Sequence, residues 1–244
     1  MTLFFLAKKS EANSWVSKFK GNQKPIYLMK NADHVITCTP FLDNFVRQYN
    51  KHTTDISSTI NTDTYIPVNN YSNDHKLVIG WSGSHSTAKY LLLLKNVFVA
   101  LKKKYDFDIV VMGAADLQIE GVDIQFIPWS EEDEIPVLQT FDIGLYPLPD
   151  EQWVHGKSGL KAIQYMALGI PTVASNIGEA IKRVIDNDDS GFLVFTEQEW
   201  IDALSQLIED VNLRKKLGQA GRKKVEEKFS IHANKATYLT VINS

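Results

Sequence analysis

Lys76-Leu77-Val78-Ile79-Gly80-Trp81-Ser82-Gly83-Ser84-His85-Ser86-Thr87 opens as a short apolar run and passes through small residues into an amphipathic stretch. The run 76–81 is apolar toward both faces, as a strand covered by helices on either side must be. The pattern beyond it predicts a helix over 87–105. Working outward, the same alternation recurs. Strands are predicted at 33–38, 108–113, 122–127, 141–146, 172–175 and 191–194, and helices at 131–140, 158–168, 178–186 and 197–209. Such βαβ alternation implies an α/β fold with a doubly wound parallel sheet. Two further helical patterns, 211–229 and 230–242, have no strand after them and are expected to pack as C-terminal helices. The polar, aperiodic stretch Asn69-Asn70-Tyr71-Ser72-Asn73-Asp74 reads as a linker or hinge. The chain therefore divides into 1–68, a linker at 69–75, a main domain at 76–228 and a closing helix at 229–244.

Composition narrows the function. The 244 residues carry a net charge of −3 with a pI near 6.1, so no basic field draws this chain to nucleic acid. One cysteine, Cys38, excludes an internal disulfide, and its apolar setting reads as a buried thiol. The apolar opening 3–7 is too short to span a membrane, and Lys8 and Lys9 follow it rather than precede it, the reverse of a signal peptide. A cytoplasmic protein is expected. The six histidines show no metal-ligand spacing, no Gly-x-Ser-x-Gly elbow is present, and no strand leads into Gly-x-Gly-x-x-Gly followed by an acid. Hydrolase and dinucleotide-dependent oxidoreductase readings have nothing to rest on.

Two strand-to-helix junctions can carry chemistry. In the first, Gly83 and Ser84 let the backbone approach a ligand, the amides opening the helix favour an anion, and Lys89 stands within the first turn, as a phosphate partner or as a plain surface lysine. The second runs Trp153-Val154-His155-Gly156-Lys157-Ser158-Gly159-Leu160-Lys161-Ala162-Ile163-Gln164-Tyr165-Met166 and places two glycines, a serine and two lysines at a helix start. Both junctions fall at the carboxyl ends of parallel strands, where open α/β sheets bind ligands, and two helix N-termini facing one crevice suit a diphosphate. Trp129 sits in the loop after 122–127, to line a pocket or fill the core edge. Asp142 reads as structural, His155 as a surface residue. Ser130 caps the helix that the acidic run 131–134 opens.

The stretch Tyr165-Met166-Ala167-Leu168-Gly169-Ile170-Pro171-Thr172-Val173-Ala174-Ser175 resembles the Glu-Ala-Met-Ala-x-Gly-x-Pro-Val-Val-Ala-Ser signature of family 4 glycosyltransferases. In the family's order come Asn176-Ile177-Gly178-Glu179, Asp189-Ser190-Gly191-Phe192-Leu193-Val194, Leu213-Arg214-Lys215-Lys216-Leu217-Gly218 and Phe229-Ser230, so the resemblance runs from about Lys76 to the C-terminus. It implies the Rossmann-like donor half of a GT-B fold. Upstream, Ala32-Asp33-His34-Val35-Ile36-Thr37 and Ser57 to Tyr65 are similar to the last βα unit of the family's N-terminal domain and the connection out of it. Residues 1–68 then correspond to the remnant of that domain, which in the family carries the acceptor site, and the chain alone is expected to have little transferase activity.

The resemblance implies a retaining transferase of polysaccharide biosynthesis that takes a nucleotide-diphosphate sugar, needs no metal or other cofactor, and acts on a saccharide or lipid acceptor, the full enzyme associating peripherally with a membrane. Donor and diphosphate residues are then Gly83, Ser84, Lys89, Gly156, Lys157, Ser158, Gly159 and Lys161, with Gln164 and Trp129 at ribose and base. Catalytic residues are unassigned. Departures matter here: two family glutamates fall at Gly156 and Gln164, and a phosphate-binding arginine falls at Ser84, leaving only the lysine at Lys89. Gln164 can still hydrogen-bond ribose hydroxyls, without charge. The lost carboxylates motivate an alternative, a non-catalytic nucleotide-sugar-binding or interaction module. Apolar surface around Phe4, Phe5 and Leu6 would suit a homodimer.

Overall fold

The computed structural model describes residues 23–68, 71, 72, 74–114 and 117–243. Phe4, Phe5 and Leu6, with the dimer expectation attached to them, lie outside these. The described chain begins with α1 (Gln23–Asn31), β1 (Val35–Thr37), α2 (Pro40–Val46) and β2 (Thr53–Asp55), β1 and β2 pairing in parallel. Sequence patterning shows β1 but not α1, α2 or β2. β2 is the polar triplet Thr53-Thr54-Asp55, half-buried throughout, with no apolar run to mark it.

The main sheet follows. Its strands are β3 (Leu77–Ser82), β4 (Phe107–Met112), β5 (Gln125–Ile127), β6 (Ile143–Tyr146), β7 (Thr172–Ser175) and β8 (Phe192–Val194), all parallel, in the order β5-β4-β3-β6-β7-β8. The order reverses between β3 and β6, which makes their carboxyl ends the switch point of a doubly wound sheet. The central strands are buried along nearly their whole length, β6 and β7 completely. On one face pack α4 (Lys95–Lys102) and α8 (Glu197–Glu209), burying Phe98, Leu101, Trp200 and Leu204. The other face is covered by α5 (Glu131–Leu138), α6 (Leu160–Ala167) and α7 (Glu179–Val184).

Two glycines decide how closely α6 sits on the sheet. Gly80 of β3 and Gly144 of β6 are register partners, and a Cβ would stand 2.1 Å from the Phe141 ring at the first and 2.6 Å from the Tyr165 ring at the second. Without side chains there, the two rings lie directly on the strands, 6.1 Å apart. Tyr165 then reaches the end of β3, where the Ser82 amide donates to its hydroxyl at 2.8 Å.

The helix expected over 87–105 is broken: α3 (His85–Ala88) gives way to a 3-10 segment, Lys89–Leu94, before α4. The Lys89–Leu94 turn buries Tyr90, Leu91 and Leu94, a spacing that tertiary packing favours over one continuous helix. α9 (Val211–Lys224) likewise ends in a π turn, Val225–Phe229, ahead of α10 (Ile231–Ile242). Phe229 is buried against α6, and Ile60 bridges to Ser230, so the segment after β2 and the chain's last turn run side by side. Arg222 fastens the same segment, donating to the carbonyls of Thr62, Tyr65 and Ala167. In the stretch read as a hinge, two of the described residues are held: Tyr71 donates its hydroxyl to Gly169 O, and Arg214 donates to Ser72 O.

Candidate functional site

The loops leaving β3, β4, β5 and β6 meet at one edge. Gly113, with φ +87°, follows β4, and a Cβ on it would lie 2.1 Å from Gly83 O and 3.5 Å from Trp129 Cβ. Gly83, Gly113 and Trp129 are therefore neighbours on the carboxyl side of the sheet. Ser84 is exposed, but its amide already accepts an internal partner, donating to Thr87 Oγ1 at 3.1 Å. A ligand phosphate must compete with that contact.

At the second junction the chain makes a 3-10 turn, Gln152–Gly156, and reaches α6 through Gly159, whose φ of +79° favours glycine. No side chain caps α6, so its first-turn amides are not filled by the protein's own hydroxyls. Ser158 instead bonds Ser58 Oγ at 2.6 Å, across to the N-terminal segment. Gly156 faces that segment too: a Cβ there would lie 3.5 Å from Leu42. His155 packs on Phe41, with ring centroids 5.8 Å apart, and is half-buried rather than a free surface residue. Cys38 is also half-buried, less enclosed than its apolar sequence setting suggested, because it follows the last residue of β1 at this cleft; burial and the nearby Asp55 push its thiol up.

Two predicted lysines come together and one does not. Lys89 Nζ lies 5.7 Å from the Tyr90 ring centre, Tyr90 packs on Trp153 at 5.8 Å, and Lys157 Nζ lies 5.0 Å from the Trp153 ring. An aromatic pair thus holds one lysine from each junction across the switch point. Lys157 has no carboxylate partner among the described residues, and burial pulls its ammonium below the usual lysine range. Lys161 is different: it sits 3.2 Å from Glu134 Oε1, so its charge is already met.

Sequence reading missed Glu134 as a site residue, taking it only as part of a helix start. Ser130 does cap α5, accepting from the Asp133 amide at 3.0 Å. Glu134 turns inward, to Tyr65, Trp129, Lys161 and Gln164. Trp129 is 54% exposed, which excludes the core-edge role and leaves its ring free above the crevice. Gln164 is buried at 5% exposure. Tyr90 and Trp153 were missed as well, although each stands close in sequence to a candidate lysine.

Asp142 belongs to the opposite edge. Its Oδ2 accepts from the Val78 amide at 2.8 Å and from His75 Nε2 at 3.0 Å, a structural tie between the starts of β3 and β6. A cavity of about 340 Å³ at this amino edge, lined by Tyr71, His75, Phe141 and Asp142 among others, contains none of the predicted site residues. We place the site by the switch-point geometry rather than by cavity size, because the crevice is open toward the N-terminal segment. Among the described residues, no three His, Cys, Asp or Glu side chains gather as a metal site, and no helix is long and apolar enough to cross a membrane.

Comparison with known proteins agrees with this architecture. The chain is 27% identical over 174 residues to CapM, a capsular polysaccharide biosynthesis glycosyltransferase of Staphylococcus aureus; the match covers 64% of this chain and 44% of that protein, less than half its length. HepE from Anabaena, solved with UDP and glucose, superimposes with a TM-score of 0.72 over 91% of this chain and 66% of its own at 16% identity, a likeness of fold. The C-terminal domain of the group 1 glycosyl transferase LpcC from Francisella tularensis matches at 27% identity and TM-score 0.56, covering 70% of this chain and 99% of that domain. Residues 76–210, more than half of the chain and the whole of the six-stranded sheet with its crevice, match the family model described as glycosyl transferases group 1, and the chain belongs to that family.

Proposed function

We propose that this chain is the donor-binding half of a retaining, metal-independent glycosyltransferase that takes its sugar from a nucleotide-diphosphate sugar. The observation that carries the reading is the pair Lys89 and Lys157, set by Tyr90 and Trp153 on the two loops of the switch point, beside the uncapped start of α6. A half-buried cation without a carboxylate partner has the desolvation cost of its charge uncompensated until an anion arrives. A departing diphosphate develops charge where those ammonium groups and the α6 amides converge, so the barrier falls by electrostatic preorganisation, with no protein nucleophile needed. The exposed Trp129 ring is the base platform, and the cleft toward Cys38, Phe41 and Ser58 is the side from which an acceptor approaches. Retention and a saccharide or lipid acceptor follow from the motif resemblance, and CapM, a polysaccharide enzyme, accords with them.

Calorimetric titration with UDP, GDP and ADP tests this. Saturable binding of one of them, weakened about tenfold or more in Lys157→Ala, is expected, since a hydrogen bond to a charged group is worth roughly 1.5–3 kcal/mol. Binding of none, or binding indifferent to Lys157, overturns the assignment.

A further inference from the structure

Glu134 is enclosed, with 17% of its side chain exposed, and donors from three parts of the chain converge on it. Trp129 Nε1 and Lys161 Nζ each lie 3.2 Å from Oε1; the Tyr65 hydroxyl and Gln164 Nε2 lie 2.9 and 3.1 Å from Oε2. Burial alone would push this carboxyl up, but the Lys161 charge and the bonds from Trp129, Tyr65 and Lys161 hold it below the ordinary glutamate value. It is a carboxylate at neutral pH, and Oε1 carries the two longest contacts. Next to it, Gln164 spends Nε2 on Tyr65 and Glu134, while its Oε1 is buried with no donor at all. A network serving only to hold helices together would fill that oxygen, since buried acceptors are nearly always paired.

Two neighbouring acceptors, one weakly engaged and one empty, call for a ligand with two adjacent donors. A phosphate offers acceptors only, whereas a vicinal diol offers two hydroxyls on neighbouring carbons. The position is right for it: Trp129 and Glu134 follow β5, Gln164 lies one turn into α6, and both border the crevice marked by Gly83 and Gly113.

We propose that Glu134 and Gln164 together form a diol receptor, one hydroxyl donating to Glu134 Oε1 and its neighbour to Gln164 Oε1 once the amide turns toward it. The inference rests on the donor reading above, in which the diol is the nucleotide's ribose. Glu134, from α5, then supplies the negative charge that Gln164 lacks, and discriminates ribose from sugars without the hydroxyl pair.

The test compares UDP, GDP and ADP with their 2′,3′-dideoxy forms on the unaltered chain, Glu134→Ala and Glu134→Gln, the last being isosteric and each variant checked by thermal melting. The unaltered chain is expected to bind the parent nucleotide about tenfold or more above the dideoxy form, by the same charged hydrogen-bond magnitude. Both variants should lose most of that preference. If they weaken both ligands equally and keep the preference, Glu134 only holds α5 against α6 and the proposal is overturned. Equal binding of both forms by the unaltered chain overturns the diol receptor and leaves the donor reading standing; binding of no nucleotide overturns both.

Discussion

Lys157 and Lys161 are four residues apart and look equivalent in the sequence, yet their surroundings give them opposite chemistry. Lys161 is met by Glu134, whereas Lys157 has only the Trp153 ring and is partly desolvated. Its folded pKa lies below the unfolded value, so the unfolded chain holds the proton more firmly and this lysine costs stability below its folded pKa. That cost is relieved as pH rises through the folded pKa toward the unfolded one. Lys157→Met is therefore expected to raise Tm at pH 7, by about 2 °C once solvent screening of a half-exposed group is allowed for, while nucleotide affinity falls. Lys161→Ala should cost less diphosphate affinity than Lys157→Ala and lower Tm instead, because it strands the Glu134 charge. Melting curves and titrations on the two variants check both statements; a larger affinity loss at Lys161 would reverse the assignment.

At the scale of elements, what aims α6 at the crevice is the missing side chain at Gly144. Adding one carbon puts it 2.6 Å from the Tyr165 ring, in a part of the core where Tyr165 is fully buried. Gly144→Ala is expected to cost about 1–3 kcal/mol as an overpacked core does, a fall in Tm of roughly 3–10 °C, and to weaken nucleotide binding by tilting the start of α6. Unchanged melting would mean that α6 can retreat freely. Strands β3, β4, β6, β7 and β8 were legible in the sequence because burial on both faces writes itself as a continuous apolar run. β2 was not, since its polar residues are ordered only by pairing with β1. The break at Lys89–Leu94 was hidden as well: four consecutive leucines fit a helix locally, and only their burial pattern against the sheet selects the tighter turn.

For the whole molecule, the N-terminal segment is tied to the main sheet by few, polar contacts at the site edge: Ser58 with Ser158, and Asp55 with Arg183 at 2.5 Å. The return path runs through Ile60 and Ser230 and is fastened by Arg222. α10 contributes no buried side chain. Ending the chain at Ser230 is therefore expected to lower Tm by less than about 3 °C, within the range of surface changes, because Phe229 and the Ile60 bridge remain. A larger fall in a thermal melt would show that α10 shields apolar surface.

The sequence by itself determined the doubly wound sheet, its terminal helices and the two glycine-rich junctions, because apolar periodicity and backbone permissiveness are local properties. The resemblance in 165–175 and the motifs after it also named the family that the match over 76–210 shows. Tertiary structure alone decided which lysine keeps an unmet charge, that Tyr90 and Trp153 bind the two junctions together, and that a carboxylate from α5 stands beside Gln164. These are contacts between residues 27 to 99 positions apart, such as Lys161 with Glu134 and Gln164 with Tyr65. Their energies depend on distance and desolvation, which no local pattern encodes.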